Sequence, residues 1–114
     1  MPSKKSELIA KYQKDLQEKF KVQPDMELLA KVTDGLGPSI YNRDSSTVSG
    51  SDIKELERVK NNFLIRKLGL ADTPELMDAI EAVIKEYGTS VRTKYRAVVY
   101  YQLTRHFGKE SVYN

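Results

Sequence analysis

Apolar residues recur along this chain at intervals of three and four, the spacing of one face of a helix that turns about 100° per residue. Leu8, Ile9, Tyr12, Leu16 and Phe20 share one stripe and lysine and glutamine fill the remainder, which predicts a first helix over about residues 6–20. Pro24 and Asp25 break the pattern, and Met26, Leu28, Leu29 and Val32 then predict a short second helix over 25–34, stopped near Gly35. A third helix, over 52–68, opens on Asp52. Its carboxylate can accept from the exposed first-turn amides while Glu55, three residues on, reaches back to the Asp52 amide as a capping box. Ile53, Leu56, Val59, Phe63, Leu64 and Leu68 form its apolar face, and Gly69 can end it.

Pro74 fits the first turn of a fourth helix over 73–87, where its missing amide costs nothing, and Leu76, Met77, Ile80, Val83, Ile84 and Tyr87 make a narrow stripe that stops at Gly88. The fifth helix, over 90–107 and stopped by Gly108, is apolar on more than one side, as a central helix must be. Its run Ala97-Val98-Val99-Tyr100-Tyr101 has strand propensity, but the length of the segment and its flanking stop signals favour a helix. The expectation is an all-α fold, an irregular bundle of about five helices in a single domain spanning 1–114.

One segment has no period of either kind. Residues 37–51, GPSIYNRDSSTVSGS, make a connection that is long for a compact helical domain. Ile40, Tyr41 and Val48 are its candidate anchors, and Asn42, Asp44, Ser45, Ser46 and Thr47 can bond to nearby backbone, so the loop is expected to be ordered. The same residue types suit a second role. Tyr41, Asn42, Arg43, Asp44, Ser45, Ser46 and Thr47 are candidate contacts for a small polar or anionic ligand.

Composition narrows the chemistry. The chain has no cysteine, which excludes disulfides, thiolate metal sites and cysteine nucleophiles. Its first twenty residues contain no apolar run long enough for a secretory leader or a membrane span, so a cytoplasmic location without membrane association is the default. The net charge of +3 is mild but uneven: residues 89–109 carry basic groups and no acid, whereas 70–88 are acidic, which predicts attraction between neighbouring helices. The bases Arg92, Lys94, Arg96, Arg105 and Lys109, interleaved with tyrosines, are the candidates for nucleic-acid contacts, although they do not gather on one side of a helical wheel. The lone histidine, His106, sits near a helix end, where the dipole favours a cationic ring at the surface. No spacing marks a catalytic constellation, a metal site or a cofactor-binding loop, so none of these is expected.

The block GLGPSIYNRDSSTVSGSDIKELERVKNNFLIRKLGL and the block TKYRAVVYYQLTRHFGK resemble a small bacterial family catalogued as a domain of unknown function. The resemblance covers nearly the whole chain and implies a cytoplasmic helical protein with no site residues to carry over. Three functional expectations remain: a protein-interaction or small-ligand-binding module, with a protein partner or a second copy of the chain among its candidates; a nucleic-acid binder using the fifth helix; and an enzyme of unidentified class.

Overall fold

The computed structural model describes residues 3–113. It is an all-α bundle: α1 (Lys4–Lys19), α2 (Met26–Leu36), α3 (Ile53–Arg58), α4 (Pro74–Tyr87) and α5 (Arg96–His106), with short 3-10 turns at Gly37–Tyr41 and Glu110–Tyr113. The central position of α5 follows from its composition, since Ala97, Val98, Val99, Tyr101, Leu103 and Thr104 are all buried around its circumference. α1, α2 and α4 pack against it.

Several boundaries differ from the periodicity, each for a local reason. α1 begins two residues before Ser6, because the Ser3 hydroxyl accepts from the Ser6 amide at 3.1 Å and caps the helix. α2 passes through Gly35 and stops at Gly37, whose φ of 61° is left-handed. The connection over 37–51 opens with the 3-10 turn that Pro38 initiates; Ile40 and Val48 anchor it in the interior, while Tyr41 lies at the surface beneath the Lys4 ammonium.

The third helix is not a uniform α-helix over 52–68. After Arg58 it widens into π geometry over Val59–Ile65, with the amides of Arg66 and Leu68 bonded to carbonyls five residues back. The extra residue in the turn lets Phe63 and Leu64 both point inward, and Phe63 stacks on Tyr100 of α5 with ring centroids 3.8 Å apart. Asp52 caps as expected, accepting from Lys54 at 3.0 Å, but Glu55 does not reach back to it. Its side chain turns into the protein instead.

The largest correction concerns the fifth helix. Residues 90–95 are not helical, and α5 starts at Arg96. The Lys94 carbonyl, which a longer helix would present to Val98, accepts the Val48 amide at 2.8 Å, and the Arg96 amide donates to Ser46 at 2.9 Å. These two bonds form an antiparallel bridge between Thr47 and Tyr95 that fastens the loop to the entrance of α5. Thr89, Ser90, Val91 and Thr93 are weak helix formers, and the chain there turns, with the Val91 amide bonded to the Gly88 carbonyl at 3.0 Å, instead of extending the helix. Among the described residues no ion pair joins the acidic fourth helix to the basic segment that follows it.

Tyrosines serve as long-range helix caps. Tyr101 accepts the Asp25 amide at 2.8 Å at the start of α2, and Tyr87 accepts the Tyr95 amide at 3.2 Å while donating to Asp15. Tyr12 is fully buried in the core, yet its hydroxyl has no partner among the described residues. Burial, then the nearby Tyr95, pushes the Tyr12 phenol up to about 12, and burial followed by the Asp15 bond holds Tyr87 above the usual phenol range. The unfolded chain ionises these phenols near pH 10 and the folded chain resists doing so, so their titration leaves stability untouched below about pH 10 and lowers it as the pH climbs from there through 12. Tyr12→Phe is expected to stabilise the protein by about 1 kcal/mol at neutral pH, because it removes an unsatisfied buried hydroxyl, and to flatten the alkaline loss. Urea unfolding at pH 7 and pH 11 measures both effects.

Candidate functional site

The loop is organised around one cation. Arg96, at the first position of α5, is largely buried, and its guanidinium donates through Nε to the Ser45 carbonyl at 2.8 Å and through Nη2 to the Thr47 carbonyl at 3.1 Å. Nη1 donates to the Tyr100 hydroxyl at 3.1 Å, and Nη2 also pairs with one oxygen of Glu55. The other Glu55 oxygen accepts from Arg58 at 2.8 Å. Desolvation works against the charge on Arg96, but Tyr100 and Glu55 outweigh it and hold the guanidinium above its ordinary value.

Within this frame the loop divides into two halves. In the first half the side chains of Asn42, Ser45, Ser46 and Thr47 bond to the loop's own backbone, and the Ser39 hydroxyl donates to the Leu36 carbonyl at 2.7 Å. The Asn42 side chain accepts from the Asp44 and Ser45 amides at 2.9 and 3.3 Å, Ser45 donates to the Ser39 carbonyl at 3.0 Å, and Ser46 and Thr47 both donate to the Arg43 carbonyl. Of the candidates over Tyr41–Thr47, the side chains left facing outward are those of Tyr41, Arg43 and Asp44. Tyr41 borders a shallow recess of about 270 Å³ with Lys5, Asp34 and Ile40.

The second half behaves differently. Val48, Ser49, Gly50 and Ser51 form one wall of a cavity of about 290 Å³ whose other walls are Ile84 of α4 and Thr89, Val91, Arg92 and Lys94 from the stretch before α5. Among the described residues, the hydroxyls of Ser49, Ser51 and Thr89 take part in no hydrogen bond within the protein. Lys94 is 6% exposed. Its ammonium donates to the Val91 carbonyl at 2.5 Å, and it belongs to no ion pair among the described residues. Gly50 permits this closeness: a Cβ there would lie 2.7 Å from the Ile84 methyl and 3.5 Å from the Lys94 stem.

A larger groove of about 390 Å³ runs between α4 and α5, bordered by Gln23, Glu86, Tyr101, Gln102, Arg105 and His106. Its charged members are exposed, Arg105 is 3.7 Å from Glu110, and the Tyr101 hydroxyl is occupied by Asp25. It has the character of the furrow left between two packed helices, so the loop cavity is the stronger site. Among the described residues no three His, Asp or Glu side chains converge as metal ligands would, and no helix is long and apolar enough to cross a membrane.

The five basic candidates fall in separate places. Arg92 and Lys94 border the loop cavity, Arg96 is bound to Glu55, Arg105 faces Glu110, and Lys109 is half-buried past the end of α5. Ser49, Gly50, Ser51 and Thr89 were not singled out by the sequence as site residues. Their role depends on two segments about forty positions apart being joined by the bridge at Thr47 and Tyr95, for which no local pattern exists.

A family model describing a protein of unknown function, DUF2853, matches residues 11–111. The chain belongs to the DUF2853 family. Both halves of the loop, the Arg96 clamp and the whole cavity lie within the matched region. No match is found among curated proteins.

Replacing Arg96 with Met is expected to destabilise the protein by about 3 kcal/mol, because it strands a buried carboxylate and releases two loop carbonyls. Glu55→Gln and Arg96→Met together should cost less than the sum of the single changes, with a coupling of about 1–2 kcal/mol in a urea-denaturation cycle.

Proposed function

We propose that this chain is a small-ligand-binding module whose site is the cavity between Val48–Ser51 and Thr89–Lys94. The reading rests on the division of labour within the loop. Hydroxyls up to Thr47 satisfy the backbone, whereas those of Ser49, Ser51 and Thr89 border a concavity and make no hydrogen bond among the described residues. Polar groups gathered around a recess and left with spare donors and acceptors are what orient a ligand. The bridge and the Arg96 clamp fix both walls beforehand, so less conformational freedom is lost on binding.

Protein docking ranks second. The exposed large apolar side chains among the described residues, Met26, Tyr41 and Ile53, sit on different elements rather than on one. Nucleic-acid binding has less support, since Arg96 and Arg105 already face carboxylates and Lys94 is buried.

A chemically diverse fragment library, screened by amide chemical shifts, tests the proposal. Binders should move the resonances of Gly50, Ser51 and Thr89. The double variant Ser49→Ala, Ser51→Ala should weaken them about tenfold, with a change in stability below about 0.5 kcal/mol because both residues are exposed. Binders that move only α4–α5 groove residues would place the site elsewhere.

A further inference from the structure

The charge on Lys94 identifies the class of ligand. We infer that the loop cavity binds a small oxyanion, a carboxylate or a phosphate group, with the Lys94 ammonium as its principal partner; this rests on the ligand-binding reading above. A lysine ammonium has three donors, and here one protein acceptor, the Val91 carbonyl, is in reach. Among the described residues no carboxylate lies within ion-pair distance, and none borders the cavity. Removing an ammonium from water without a counter-charge is strongly unfavourable, so an uncompensated cation at a cavity wall marks the place where an anion would be stabilised.

The remaining wall fits the same class. Arg92, exposed at the rim, adds a second positive charge, and the hydroxyls of Ser49, Ser51 and Thr89 can donate to oxyanion oxygens. The contrast with Arg96 is informative. That cation is buried too, but its environment supplies a carboxylate, a phenol and two carbonyls. The fold therefore neutralises one buried cation from within and leaves the neighbouring one without an acid. A cavity of about 290 Å³ admits a small acid or a single phosphate group.

The experiment titrates the full chain at low ionic strength with inorganic phosphate, with acetate, and with acetamide, the neutral isostere of acetate, while following amide chemical shifts. Saturable movement of Gly50, Ser51 and Lys94 with phosphate, acetate or both, and not with acetamide, is the expected result. Which anion acts separates a phosphate ligand from a carboxylate one. Lys94→Met keeps the stem that lies beside Gly50 and should weaken the anion at least about tenfold. Arg92→Gln, at an exposed position that does not threaten folding, should weaken it about threefold and lower its salt dependence.

Acetamide binding as well as acetate, or affinity unchanged in both variants, overturns the anion assignment and leaves the cavity as a site for neutral ligands. The assignment alone also falls if library fragments occupy the cavity while neither anion does. If no probe or fragment moves the cavity amides, both the assignment and the ligand-binding reading fall.

Discussion

Arg96 carries a charge into the packed side of the molecule, and Glu55 meets it from the beginning of α3. Such a pair is costly to desolvate and persists only when its remaining donors and acceptors are satisfied, as they are here by the Ser45 and Thr47 carbonyls, Tyr100 and Arg58. The consequence is positional. The Ser45–Thr47 backbone is drawn onto the entrance of α5, the bridge with Tyr95 can form, and the chain before α5 is kept out of the helix. Phe63, brought inward by the π geometry of the third helix, stacks beneath Tyr100 and supports the guanidinium from the core side.

The cavity is a by-product of that arrangement. Once Thr47 is tied to Tyr95, the next residues of each strand, Val48–Ser51 on one side and Thr89–Lys94 on the other, must run beside one another over Ile84. Gly50 lets the loop close onto the Ile84 methyl, which a Cβ at position 50 would meet at 2.7 Å, with the Lys94 stem in ordinary contact alongside at 3.5 Å. Loop rigidity and cavity chemistry therefore have a common origin. The buried ion pair fixes the walls, and the hydroxyls not needed for that purpose are free for a ligand.

The helical class was legible because the apolar stripes of α1, α2 and α4 are separated by strong local signals, Asp25 and Pro74 among them. What local signals miss is competition from far along the chain. Val91, Tyr95 and Val98 have helical spacing, yet the Lys94 carbonyl is taken by Val48 and the helix begins at Arg96. Glu55 stands three residues after Asp52, as a capping box requires, but a buried guanidinium 41 positions away is a stronger partner than an exposed amide. The site was legible to the same degree. The loop stood out by composition, and its self-bonding residues follow from ordinary turn chemistry, whereas the burial of Lys94 comes with the bridge to a loop far along the chain and leaves no trace in its own neighbourhood.

The account stands on the claim that the bridge between the loop and the α5 entrance is as firm as the core. Native-state hydrogen exchange at the Val48 and Arg96 amides tests it most directly, since these are the two bridge donors. The account predicts protection within about 1 kcal/mol of the core amides of α5, such as those of Tyr101 and Leu103, so that bridge and core open together. Exchange of Val48 and Arg96 near the unprotected rate, with the α5 core still protected, would contradict it.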